Sequence, residues 1–152
     1  RSCAKEAEKL PFIIFAAGIS LHRTNLTKIC NVVKTMAEGG TKLLSGETIN
    51  HALIIKIEGE LDLHTAPEFK NFIDRKLFND LAIKNLILCM DQTKFIDSSG
   101  LGVILGRYKL IEERGGKLIF VACSPHVYRI LKLSGLQKIA YFTDSVKEAL
   151  SL

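Results

Sequence analysis

The 152-residue chain has only four cysteines, and no two of them stand in a C-x-x-C pair. Cys3, Cys30, Cys89 and Cys123 also do not combine with the four histidines into the spacing of a zinc site, so no metal is expected. Cys89 and Cys123 each lie in or at the end of an apolar run, where a free thiol packs as a small hydrophobe. Reduced, buried cysteines fit a cytoplasmic protein. No apolar run approaches the ~18–20 residues of a membrane span, so no membrane association is expected. The one stretch with the look of a secretory core, Leu10 to Leu21, contains Pro11, lacks an A-x-A cleavage site and does not follow an initiating Met. Acidic residues are outnumbered, 16 Asp and Glu against 21 Lys and Arg, but the surplus is uneven. Residues 1–45 carry a net charge of +4 and residues 46–152 only +1, so no basic groove for nucleic acid is implied.

What is present, 47% hydrophobic and 24% charged residues, describes one ordinary globular domain with an appendage, long enough to bury a core. In the appendage, Leu26, Ile29, Val32, Val33 and Met36 make a helical stripe that Gly39-Gly40 ends. Met36-Ala37-Glu38-Gly39 reads as a candidate true start, which would leave the upstream residues as an extension. Strands and helices then alternate. A short strand near Leu43-Leu44 is expected to pair, across a turn from Glu47 to His51, with a strand from Ala52 to Ile57. Gly59-Glu60-Leu61-Asp62 would leave that strand. Thr65 and Glu68 have capping-box spacing, and Pro67 suits a first helical turn, so a helix is expected through Phe69, Phe72, Ile73, Leu77 and Leu81.

Asn85 to Met90 is a continuous apolar run, the pattern of a strand buried on both faces. Polar Asp91 to Lys94 follow it, Phe95-Ile96 turn back inward, and Leu101, Ile104, Leu105, Tyr108 and Ile111 recur at helical spacing up to Gly115-Gly116. Lys117 to Cys123 makes another buried strand. Ser124-Pro125 caps a helix through Val127, Ile130, Leu131 and Leu133, closed by Gly135. Ile139 to Phe142 would be a short edge strand, and Thr143-Asp144 would cap a last helix. The pattern predicts an α/β domain whose sheet is mixed but mostly parallel, with four to five strands and about four helices. Functional loops lie at the carboxyl ends of parallel strands, so Gly59–His64 and Asp91–Ser98 would share one edge if their strands are neighbours.

Asp97 or Ser98 is a natural N-cap, and Ser98 and Ser99 sit where free amides and the helix dipole would welcome an anion. The serines could be caps alone, or a pair open to modification. A hydrolase is disfavoured: a nucleophile elbow needs Gly two residues before the Ser, where this chain has Ile96, and no His-acid pair is marked out. Gly100, Gly102 and Gly106 fit no phosphate-cradling loop; Gly102 and Gly106 would instead let the helix approach the sheet. His64 reads as a solvated or capping residue, Asp62 as an exposed loop acid, and His22, His51 and His126 as less notable still. No catalytic group and no cofactor are expected.

Phe95-Ile96-Asp97-Ser98-Ser99-Gly100-Leu101-Gly102, continuing to Lys109, closely resembles the phosphorylation-site segment of the anti-sigma factor antagonists in the STAS domain family. Within that family it is nearest to the anti-sigma F factor antagonists of endospore-forming bacteria. Gly59-Glu60-Leu61-Asp62 with His64-Thr65, and Leu133-Ser134-Gly135-Leu136 with Lys138-Ile139, resemble two further family motifs in the same order. The resemblance implies a STAS domain over 43–152 and an N-terminal extension, partly helical, over 1–42. It implies a cytoplasmic, monomeric, non-enzymatic protein whose unmodified form binds an anti-sigma factor that is also a serine kinase, releasing a sigma factor. Ser98 would be the phosphoacceptor, favoured over Ser99 only by the resemblance, and a serine phosphatase would reset it. Asp62, His64, Thr65, Asp97, Ser98, Ser99 and Gly100 would form the partner-binding surface. Leu63 stands where close relatives often have a second His, which implies a docking loop tuned to a different partner; Gly46 implies a short or irregular first strand. The alternative role is a STAS module serving as a structural or small-ligand-binding subunit of a transporter or stress-signalling complex.

Overall fold

The structure, a computed structural model, describes residues 44–152. The Leu10–Leu21 run, the Leu26–Met36 stripe, the Gly39-Gly40 break, Leu43, Cys3, Cys30 and His22 lie outside the described residues.

Chain order gives β1 (Leu44–Ile49), β2 (Ala52–Leu61), α1 (Ala66–Asn79), β3 (Asn85–Ile96), α2 (Ser98–Glu113), β4 (Leu118–Val121), α3 (Pro125–Leu133), β5 (Tyr141–Thr143) and α4 (Val146–Ala149). The five strands lie side by side in that same order, β1 antiparallel to β2 and every later pair parallel. The expected mixed, mostly parallel sheet with four helices is what the described residues form.

Period-2 alternation explains how continuous apolar strands serve two cores. Leu53, Ile55 and Ile57 of β2, Leu86, Leu88 and Met90 of β3, and Leu118 and Phe120 of β4 pack with Phe69, Ile73 and Leu77 of α1, Ile104 and Ile111 of α2, and Val127 and Leu131 of α3. Ala52, Ile54, Ile87, Cys89, Ile119 and Val121 face the other way, where Ala149 of α4 packs with Val146 and Leu150 beside it. Each fully buried Leu, Ile or Phe contributes about 1.5–3 kcal/mol, which makes the first core the dominant one. Burial also raises both described thiols, Cys123 to about 11, so they stay protonated and pack as hydrophobes.

The first hairpin is tighter and more regular than expected. Asn50 and His51 alone make the turn, both in the left-handed region (φ 49° and 64°), the geometry whose twist matches paired strands. Gly46 does not break β1: it pairs with Ile55, and a Cβ there would meet the Phe72 ring at 2.8 Å. The glycine makes room for an aromatic of α1.

β2 and β3 both run further than their apolar runs. Pairing continues from Glu58↔Gln92 to Leu61↔Ile96, with register shifts between Lys56 and Glu58 and between Gly59 and Glu60. Across each shift β3 gains one residue on β2, so the polar stretch Asp91–Lys94 is strand and not loop. Thr93, only 4% exposed, donates its hydroxyl to the carbonyl of Ile57 at 3.0 Å beside the first shift. The second shift reverses the alternation, so Phe95 is 42% exposed where an inward side chain was expected, while Ile96 is buried. Leu81 and Leu133 also leave their expected apolar faces, at 80% and 81% exposed; α1 has already ended at the extended Asp80. A 3-10 turn over Leu136–Lys138 delays β5, and Ser145, not Thr143 or Asp144, caps α4.

Candidate docking and phosphoacceptor site

Because β2 and β3 are parallel neighbours, the loops that follow them emerge at one sheet edge and are joined directly. After β2 the chain turns on Asp62. Its Oδ1 accepts from the amides of His64 (2.9 Å) and Thr65 (3.0 Å), and the Asp62 amide donates to the Thr65 hydroxyl oxygen at 2.9 Å. The Thr65 hydroxyl lies within donating distance of the carbonyl of Glu60 at 2.9 Å and of Asp62 Oδ1 at 3.1 Å. Thr65 is the N-cap residue of α1 but makes no side-chain cap bond, so the expected capping box with Glu68 is absent. Its hydroxyl is spent closing the loop. The Thr65 amide is the largest cause holding the Asp62 carboxyl below its usual range; partial desolvation opposes it, and the Thr65 hydroxyl and His64 add to it.

Asp97 ends β3 and serves both loops. Oδ1 accepts from the amides of Ser99 (2.8 Å) and Gly100 (3.0 Å), which makes Asp97 the N-cap of α2. Oδ2 accepts from the amide of Leu63 at 3.1 Å, and the Asp97 amide donates to the carbonyl of Leu61 at 3.2 Å. The second and third amides of α2 are therefore occupied, not free as the sequence suggested. The dipole remains, and Ser98 stands at the first helical position, exposed, its hydroxyl without a hydrogen bond among the described residues.

Ser99 is half-buried and Gly100 buried. A Cβ on Gly100 would collide with the carbonyl oxygen of Leu61 and meet Leu61 Cγ at 2.8 Å. This is the close approach expected of Gly102 and Gly106, but a Cβ on either of those meets nothing within 4 Å. The reason is helical phase: Gly100 shares the buried face with Ile104 and Ile111, and two residues on is about 200° round the helix.

The expected site residues thus fall together. Asp62, His64 and Thr65 form one loop, Asp97 to Gly100 the other, and the Asp97 carboxylate bridges them. His51 is at the far end of β2 and His126 at the start of α3. Two apolar side chains near these loops are exposed, Leu63 within the first loop at 66% and Phe95 near the end of β3 at 42%. Phe95 was hidden by the strand irregularity; the exposure of Leu63 follows from its place in a polar turn. Among the described residues no three His, Cys, Asp or Glu side chains cluster to hold a metal ion, and no helix is long and apolar enough to cross a membrane.

A mostly parallel sheet with one antiparallel edge strand, and a capped D-S-S-G turn beside an Asp-Leu-His-Thr loop, define a small α/β domain. The STAS domain profile matches residues 45–149, and the chain belongs to the STAS domain family. The anti-sigma F factor antagonist of Paenibacillus polymyxa is 40% identical over 99 residues, 65% of this chain and 84% of that protein. The anti-sigma factor antagonist SpoIIAA in its unphosphorylated form superposes with a TM-score of 0.58 at 26% identity, covering 70% of this chain and 93% of that one. The Bacillus cell-fate determinant SpoIIAA in its phosphorylated form gives 0.58 at 28% identity, covering 71% and 96%.

Proposed function

We propose that residues 43–152 act as an anti-sigma factor antagonist switched by phosphorylation at Ser98. Unmodified, the domain docks through Asp62, His64, Thr65 and Asp97 to Gly100 onto an anti-sigma factor that is also a serine kinase, and so frees a sigma factor. The kinase phosphorylates Ser98, the complex dissociates, and a serine phosphatase resets the domain. One observation carries this reading: Ser98 is exposed at the start of α2, on a surface where Asp97 ties the acceptor turn to the Leu63 amide of the other loop. The likeness to relatives named anti-sigma F factor antagonist, and to a SpoIIAA seen both with and without phosphate, supports it.

The electrostatics support it too. A phosphoryl group adds about −1.5 to −2 charge, which the N-terminal dipole of α2 tolerates within the isolated domain. In a closed interface the same charge would lie beside the Asp97 and Asp62 carboxylates and lose its water. A cost of ~3 kcal/mol weakens binding on the order of a hundredfold. The domain itself supplies no catalytic group in this scheme, because the partner brings nucleotide and base; in this reading it acts in the cytoplasm, as a monomer.

Incubation with ATP and an anti-sigma factor serine kinase from the same organism, followed by intact-mass and peptide mapping, tests the assignment. One phosphate on Ser98, absent in Ser98→Ala, is expected. Phosphate on Ser99 or Thr65 in the wild type would displace Ser98 from the role.

A further inference from the structure

Besides the β2–β3 pairing, three side-chain links at different heights tie α1 and its flanking loops to α2 and its caps, and the middle one has no part in the site described so far. At the top, Asp97 Oδ2 accepts from the Leu63 amide at 3.1 Å. At the bottom, the Arg114 guanidinium donates to the carbonyls of Leu77 and Ile83, each at 2.9 Å. Between them Arg107 of α2 grips Asp74 of α1: Nε and Nη2 donate to Oδ1 at 2.9 and 2.8 Å, and Nη2 to Oδ2 at 2.7 Å. The two side chains are only 12% and 20% exposed. The other ion pair among the described residues, Lys56–Asp91 at 3.7 Å, is far more exposed and joins two strands.

We propose that the Asp74–Arg107 pair is a positioning element for the docking face, setting the height of the Asp62–Thr65 loop against Ser98. This inference rests on the function proposed above. Asp74 follows Thr65 by nine residues and Arg107 follows Ser98 by nine, so the pair lies about 13 Å down each helix from the two halves of the face. Both helices return along parallel strands, so they run in the same direction, and any slip of α1 along α2 shifts one loop against the other. Apolar packing resists separation of the helices but is non-directional. A planar fork on a carboxylate fixes both distance and angle, and so resists the slip. The exclusion of Cβ atoms at Gly100 lets α2 come close enough to Leu61 for the upper link to close, and the ion pair holds it at that height.

A merely structural pair would lower global stability and nothing else. The test is amide hydrogen exchange by 1H–15N NMR on wild type, Asp74→Asn and Arg107→Lys, at a temperature where all are folded. Arg107→Lys keeps the charge and loses the fork; Asp74→Asn keeps the shape and loses the charge. In both, exchange of the Leu63 amide is expected to accelerate about tenfold through local opening of its loop, while Leu88 in β3, which exchanges through global unfolding, reads separately the stability lost with the pair. With the kinase, KM for the variants should rise about fivefold and kcat stay within twofold. Unchanged Leu63 exchange, or equal acceleration at Leu63 and Leu88, overturns the proposal. A wild-type domain that the kinase does not phosphorylate would overturn the functional reading instead, and the Leu63 exchange still decides whether the pair positions the loop.

Discussion

Asp97 concentrates the behaviour of the site in one side chain. One carboxylate oxygen caps α2 and the other holds the neighbouring loop, so the Ser98 turn and the Asp62–Thr65 loop are tied together. Gly100 makes that closeness possible, and the glycines of α2 give a sharp contrast. Gly102→Ala and Gly106→Ala should each raise stability by about 0.5–1 kcal/mol, because a helix interior favours Ala and neither Cβ meets a neighbour. Gly100→Ala should lower it by ~1–3 kcal/mol, since Leu61 must move. Urea denaturation of the three variants reads both signs. Asp62 adds a pH signature. Its folded pKa is depressed, chiefly by the Thr65 amide, so its contribution is present above the unfolded value of about 3.9 and is lost as pH falls through the folded one. The stability difference between wild type and Asp62→Asn should therefore shrink below about pH 4, followed by thermal melts across the acid range. The cap was legible as Asp97 or Ser98 from the place of the pair before an apolar helical stripe, and the structure gives it to Asp97. Which glycine meets the sheet was not, because spacing within the helix says nothing of its rotation until the strands it packs on are placed.

At the scale of elements, the overhang of β2 and β3 delivers the site. Their apolar halves, Leu53–Ile57 and Leu86–Met90, announce buried strands. Their outer halves, Glu58–Leu61 and Asp91–Ile96, read as loops because one face is solvated and two register shifts break the alternation. Thr93 is the residue that makes this irregular pairing affordable, giving the Ile57 carbonyl a partner. Thr93→Val, nearly the same shape, should cost about 1–3 kcal/mol by leaving that carbonyl unsatisfied. The measurement is equilibrium unfolding, with Thr93→Ser as the control that restores the hydroxyl. α1 and α2 were readable from their stripes, yet the Asp74–Arg107 and Arg114 contacts between them were not, since residues over thirty positions apart carry no local signal of pairing.

For the molecule as a whole, strand and helix order follow from the sequence because parallel strands buried on both faces leave long apolar runs between amphipathic stretches. The two loops were legible as one edge only on the condition that β2 and β3 are parallel neighbours, which the sheet supplies. The near-neutral net charge of residues 46–152, +1, sets no strong overall field against which one added phosphate would be lost. The most direct test of that switch is the affinity of the anti-sigma factor for the unmodified domain and for the same domain stoichiometrically phosphorylated on Ser98, by isothermal titration calorimetry at one salt concentration. Tight binding that weakens by about a hundredfold or more on phosphorylation is the expected result, corresponding to ~3 kcal/mol. Equal affinity for the two forms would contradict a switch at Ser98.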